Sequence, residues 1–246
     1  EYERTRIAEA ELKADDLNNR ALSYLDLGKE QEARKFLEEA IKLDPNSLWA
    51  NINLIILLAD ESWDTYENIL LRFKTLEEGN PSSPLPYYYE AIFELEWGNP
   101  VISLSLITKA LELDKSNSVF WNFKGIVLNT LGNYKESLKA FEQFLKIASL
   151  KKEYIRNYAI ALYYTGNYRE SCNEFNKLLD MFPDDKDIKM DMAISLTGRG
   201  KFTEAISLFR EVLAIEQDSI RANLYLGELL AGIDIFVPTF FHIPSN

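Results

Sequence analysis

The chain has one cysteine and one histidine in 246 residues. A single thiol, Cys172, cannot close an internal disulfide or build a thiolate metal cluster, so it reads as a small apolar packing residue in a reducing compartment. The imidazole, His242, stands between Phe241 and Ile243 close to the C-terminus and reads as incidental rather than as a base or ligand. No run reaches the ~18 consecutive apolar residues of a membrane helix. The opening Glu1-Tyr2-Glu3-Arg4 also lacks a basic-then-apolar leader pattern, which sets the expectation of a cytoplasmic location. Positive charge is scarce: 27 Lys and Arg against 39 Asp and Glu leave a net charge of -12. Such a surface repels phosphate backbones and anionic lipid, so neither nucleic acid nor membrane is expected as a partner. There is no GxGxxG, no P-loop and no carboxylate pair fixed at a defined separation. Neither an enzyme nor a cofactor or metal is therefore expected.

What the sequence does contain is a period. "LGNYKES", Leu131–Ser137, returns as "TGNYRES", Thr165–Ser171, 34 residues later. Gly98, Gly132, Gly166 and Gly200 share that spacing. Seven residues before them stand Ala91, Gly125, Ala159 and Ala193; five after stand Ser103, Ser137, Ser171 and Ala205; nine after stand Ile107, Phe141, Phe175 and Phe209. Small columns facing a large apolar column are what two helices need to pack closely across a turn. Gly28 carries the same frame upstream, with Ala21, Ala33 and Leu37 in the three columns. Gly28 and Gly98 are 70 residues apart, two periods plus two, so the intervening unit holds a two-residue insertion, expected within Asp60–Asp64. That unit lacks the turn glycine, and Ile55 stands in its small column. Trp121, Leu128 and Leu131, then Leu138, Phe141 and Leu145, fall on helical stripes, and no segment alternates as a strand would.

The 34-residue unit resembles the tetratricopeptide repeat. The features that carry the resemblance are the turn glycine, the small columns, an aromatic two residues past the turn (Tyr134, Tyr168, Phe202) and the closing "LDPNS" or "FPDD". It implies an all-α right-handed solenoid of six helix pairs plus a seventh first helix, without β-sheet. The expected divisions are an N-terminal helix extension over 1–13 and repeats over 14–47, 48–83 (degenerate), 84–117, 118–151, 152–185 and 186–219. A lone first helix over 220–234 and an apolar tail over 235–246 follow. The proline-bounded Glu77–Tyr89 stretch is the expected hinge. Pro238 and Pro244 exclude a helix in the tail, which is expected to cover the last helix or to enter a neighbouring chain as a homo-oligomer contact.

The resemblance also places the first helices on a concave face, which makes four columns on them the candidate binding surface. Six before the turn stand Leu22, Ile56, Ile92, Ile126, Ile160 and Ile194; ten before, Tyr88, Asn122, Arg156 and Met190; nine before, Tyr89, Phe123, Asn157 and Asp191; three before, Leu95, Asn129, Tyr163 and Thr197. The isoleucine column suits burial between neighbouring first helices as well as contact with a ligand. The candidate groove is Ile56, Tyr88, Tyr89, Ile92, Asn122, Phe123, Ile126, Asn129, Arg156, Asn157, Ile160 and Tyr163, where aromatic bodies and side-chain amides suit an extended peptide or a partner helix. The lysine, asparagine and arginine with which some family members clamp a terminal carboxylate are absent: Tyr88, Ile92, Asn122, Ile126, Ile160, Glu153, Asn157, Asp187 and Asp191 fill those places, and Arg156 falls where the clamp has its lysine. The acidic stretch Asp184-Asp185-Lys186-Asp187, with Asp191, lacks the glycine-punctuated spacing of a calcium loop and reads as a solvated loop, favouring an apolar or basic partner. The expected function is a non-catalytic protein-interaction scaffold. The alternative is a regulatory or assembly subunit acting by self-association or by supporting an enzyme encoded elsewhere.

Overall fold

The computed structural model describes residues 2–147 and 152–232, and the apolar tail lies outside them. Within the described residues every regular element is an α-helix. The first helices are α1 (Tyr2–Leu25), α3 (Leu48–Asp60), α5 (Leu85–Glu96), α7 (Ser118–Thr130), α9 (Lys152–Tyr164), α11 (Lys186–Gly198) and α13 (Ile220–Leu230). The second helices are α2 (Glu30–Leu43), α4 (Tyr66–Gly79), α6 (Pro100–Leu113), α8 (Tyr134–Ile147), α10 (Tyr168–Met181) and α12 (Phe202–Ile215). The chain forms two compact units that meet between Asp114 and Lys115, not in the proline-bounded stretch, which lies inside the first unit. There Pro86 sits in the first turn of α5, where a missing N–H leaves nothing unsatisfied.

Each first helix from α1 to α11 ends in one turn geometry. At Gly132 the φ angle is +74°. Its N–H donates to Asn129 O at 3.0 Å, and the next N–H, of Asn133, reaches back to Leu128 O at 2.8 Å. These two bonds satisfy carbonyls that the end of a helix leaves open, and they require a left-handed residue between them. Ser62 does the same with a side chain in place: φ is +53°, and Trp63 N donates to Leu58 O at 2.9 Å. Ser62 is thus the missing turn glycine, 34 residues after Gly28. The two inserted residues follow it, because α4 begins four residues past the turn where other second helices begin two past it. At the far end α13 stops early, with Gly232 at φ +65° two residues short of the position that the period from Gly200 reaches.

Across each turn the small and large columns meet. Ala21, Ala33, Ala91, Ala159, Ala193 and Ala205 are fully buried, as are Leu37, Ile107, Phe141 and Phe209. At Gly125 a Cβ would lie 2.6 Å from the Phe141 ring, so α8 approaches α7 closer than an alanine permits. The buried serines of the second helices use this closeness. Ser103, Ser137 and Ser171 donate through Oγ to the carbonyls of Ala91, Gly125 and Ala159 at 2.6, 2.8 and 2.8 Å. In the degenerate repeat both small positions are isoleucines, Ile55 and Ile69, each buried, and α3 and α4 pack less closely than the other pairs.

Two substitutions test this packing in urea denaturation. Ser62→Gly removes the cost of a left-handed L-residue and should stabilise by about 0.5–1 kcal/mol. Gly125→Ala, although it improves helix propensity, should destabilise by about 1–3 kcal/mol because Phe141 has nowhere to go; an unchanged midpoint would show that α7 and α8 separate freely.

Candidate functional site

In the first unit, Ile56, Tyr89 and Ile92 of α3 and α5 line one recess of about 180 Å³ over Phe73 and Phe93. Tyr88 meets Tyr89 edge-on at 5.2 Å, and Tyr89 meets Trp49 edge-on at 6.4 Å, which makes an aromatic row across two first helices. Trp49 falls in none of the predicted columns, yet it is about half exposed and belongs to that row. Where Ile55 and Ile69 hold α3 and α4 apart, a wider cleft of about 570 Å³ opens, rimmed by Asn46, Asn51, Asn68 and Asn80. Its cation, Arg72, is already held by Asp64 at 3.0 Å.

In the second unit, Ile126 and Asn129 of α7 and Asn157 and Ile160 of α9 come together in a recess of about 70 Å³, flanked by Tyr134 and Tyr164. These two rings stack at 4.1 Å and 7°, and burial pushes both hydroxyls up. Two predicted anchors are not on the surface. Phe123 and Tyr163 are 9% and 7% exposed and belong to the packed interior. Tyr163 lies in the last turn of α9, over the start of the second helix, and its ring packs against Tyr168 at 5.3 Å. Gly198 closes over both rings, since a Cβ there would lie within 2.9 Å of each. Tyr163→Ala is accordingly a core deletion rather than a probe of binding.

Arg156 also has a structural partner. Its Nε donates to Asp191 Oδ2 at 2.6 Å, and Arg221 stands 4.0 Å from Asp191 Oδ1. Asp191 is 1% exposed and lies within α11, which corrects its placement in a solvated loop. Burial pushes its carboxyl up, and the two guanidiniums pull it back. Asp185 is the N-cap of α11, its Oδ1 accepting from the N–H groups of Asp187 and Ile188 at 3.0 Å. Cys172 is 1% exposed and burial raises its thiol, which keeps it protonated and unreactive. Among the described residues, four buried side-chain oxygens have no hydrogen-bond partner: Asn122 Oδ1, Asn129 Oδ1, Asp191 Oδ1 and Glu228 Oε2. All four lie on first helices of the second unit and in the four predicted columns, Glu228 continuing the isoleucine column into α13.

Three tetratricopeptide repeat models match residues 14–47, 119–149 and 158–220, together more than half of the chain. The chain is a tetratricopeptide repeat protein. No curated protein matches its sequence. Among solved structures, this tetratricopeptide repeat protein is similar to a chain of the APC/C hetero-tetramer Cut9-Hcn1, at 18% identity and TM-score 0.69 over 91% of this chain and 46% of that one. It therefore spans less than half of that relative's length. It is also similar to pilF of Pseudomonas aeruginosa, at 15% identity and TM-score 0.76 over 90% and 99% of the two chains. YrrB, described as a TPR protein with an unusual peptide-binding site, matches at 18% and 0.65 over 78% and 97%. Identities this low carry the fold.

One electrostatic feature of the first unit is testable at once. Burial, and the Glu77 carboxyl bonded to it, push Glu90 up to about 9, with Glu94 adding repulsion and Lys109 opposing it. A carboxyl raised in the folded state contributes its stability below the ordinary carboxylate range and loses it as pH climbs toward about 9. Glu90→Gln should flatten that decline and stabilise at pH 8 by at least about 1 kcal/mol, roughly one pKa unit. Thermal melts of both proteins from pH 5 to 9 check it; parallel curves would refute the shared proton.

Proposed function

We propose that this chain is a non-catalytic protein-interaction scaffold and that the first-helix face of its second unit binds an extended peptide or partner helix. The observation that supports this reading is the recess built by Ile126, Asn129, Asn157 and Ile160. At about 70 Å³ it holds a single side chain and is far smaller than the ~300 Å³ or more of a metabolite site. Its floor is apolar, and its rim carries two side-chain amides that can pair with main chain without demanding a sequence. In the first unit Tyr88, Tyr89 and Trp49 form a second contact row of the kind that anchors partners, with amphipathic rings and few torsions to freeze. A peptide-binding site named for a protein of the same fold, YrrB, is consistent with this use.

A second reading, an assembly subunit acting by self-association, draws on α13. Ile220, Leu224 and Leu230 are 83%, 53% and 59% exposed, and space is open above Gly227. The two readings separate in one experiment on the whole chain. A random dodecapeptide library displayed on phage is selected against the wild type, and the enriched peptides are measured against Ile160→Asp. We expect affinity to fall at least tenfold, about 1.4 kcal/mol, with helicity unchanged. Equal binding to Ile160→Asp would remove the groove assignment, and a dimer mass by light scattering with no enriched peptides would favour self-association.

A further inference from the structure

The partner's chemistry is legible in what the second unit leaves unpaired. A buried oxygen without a donor costs about 1–3 kcal/mol, and folded proteins tolerate few, so four in one unit need a reason. All four are acceptors. Asn122 is 7% exposed and Asp191 1%, so neither is simply dangling in solvent. Asn122 and Asn129 are seven residues apart on α7 and therefore share a face about 10 Å long. An asparagine turned end for end offers an N–H instead, so these two suit main chain of either polarity. The carboxylates cannot be turned. Asp191 gives Oδ2 to Arg156 at 2.6 Å, while its Oδ1 faces Arg221 at 4.0 Å, too far for a hydrogen bond. Glu228 Oε2 has no partner. Tyr225, 7% exposed on α13, has Asp191, Glu228 and Arg221 as its charged neighbours, which places both carboxylates around one ring.

We propose that the face of α7, α9, α11 and α13 takes an extended basic segment. Its main chain pairs with Asn122 and Asn129, its apolar side chain enters the Ile126–Ile160 recess, and a lysine or arginine near the α11–α13 end donates to Asp191 Oδ1 and Glu228 Oε2. This rests on the groove reading above and adds the sign and the position of the charge. The net charge of -12 adds long-range attraction for such a segment but cannot by itself place it.

The test uses two labelled twelve-residue peptides, one alternating leucine with lysine and one alternating leucine with glutamate, titrated into the whole chain by fluorescence anisotropy. The lysine peptide should bind at least tenfold more tightly. Glu228→Gln, which keeps shape and removes one charge, should weaken it about tenfold, whereas the same change at exposed Glu39 should leave it unaltered. Asp191→Asn strips Arg156 of its partner and may not fold, so Glu228→Gln carries the decision and circular dichroism verifies both. Equal affinity for the two peptides, no binding of either, or an equal effect of Glu39→Gln and Glu228→Gln overturns the proposal. If Ile160→Asp still abolishes binding in that case, the groove stands and only the basic partner falls; if Ile160→Asp changes nothing, the groove falls with it.

Discussion

The distance between a first helix and its second is set where a position with little or no side chain meets a large apolar residue nine beyond the turn. At Gly125 and Phe141 that approach is closer than a methyl group permits, and this one contact explains several others. It brings Ser137 Oγ within 2.8 Å of a main-chain carbonyl of the facing helix. It also needs a chain reversal of a few residues, which a left-handed residue supplies while satisfying two carbonyls at the end of the first helix. Where both small positions are filled by isoleucine, α3 and α4 move apart, the turn lengthens by two residues and an amide-rimmed cleft opens. Dispersion and burial make the close contact favourable; the turn makes it reachable.

Three carboxyl groups that are wholly or partly withdrawn from water show three ways of being tolerated there. Glu94, 1% exposed, accepts from the Tyr66 hydroxyl at 2.9 Å and from Asn99 Nδ2 at 2.8 Å, so neutral donors replace its water. Asp191 uses a guanidinium at 2.6 Å. Glu90 keeps its proton beside Glu77. Of these, the ion pair contributes least to stability, since its Coulomb gain is spent against desolvation. What it does fix is the relation of α9 to α11, because moving either helix would strand a buried charge.

The repeat was legible because its signals are local. Glycine at a left-handed turn, alanine or serine at a tight contact and a 34-residue spacing each survive reading one residue at a time, and the helices follow from them. Ser62 escaped that reading because serine rarely takes a left-handed conformation, and only its hydrogen bonds reveal the role. The candidate surface was legible by column but not by residue. Ile126, Asn129, Asn157 and Ile160 do converge. Phe123 and Tyr163 share columns with them and still turn inward, because ring orientation depends on neighbours such as Gly198 that lie in another repeat. Asp191 read as part of an acidic loop because its partner, Arg156, is 35 residues away.

The two-residue insertion after Ser62 lies in the turn and not in a helix, and that location has a phase consequence. Each residue added inside a helix rotates everything beyond it by about 100° about the axis, so two would swing the apolar stripe by about 200°, toward solvent. Placed before Thr65, the N-cap of α4, the same two residues leave Phe73 and Leu76 pointing inward. The turn thus acts as a phase buffer: chain length can drift there while the angular order of the repeats that follow is preserved.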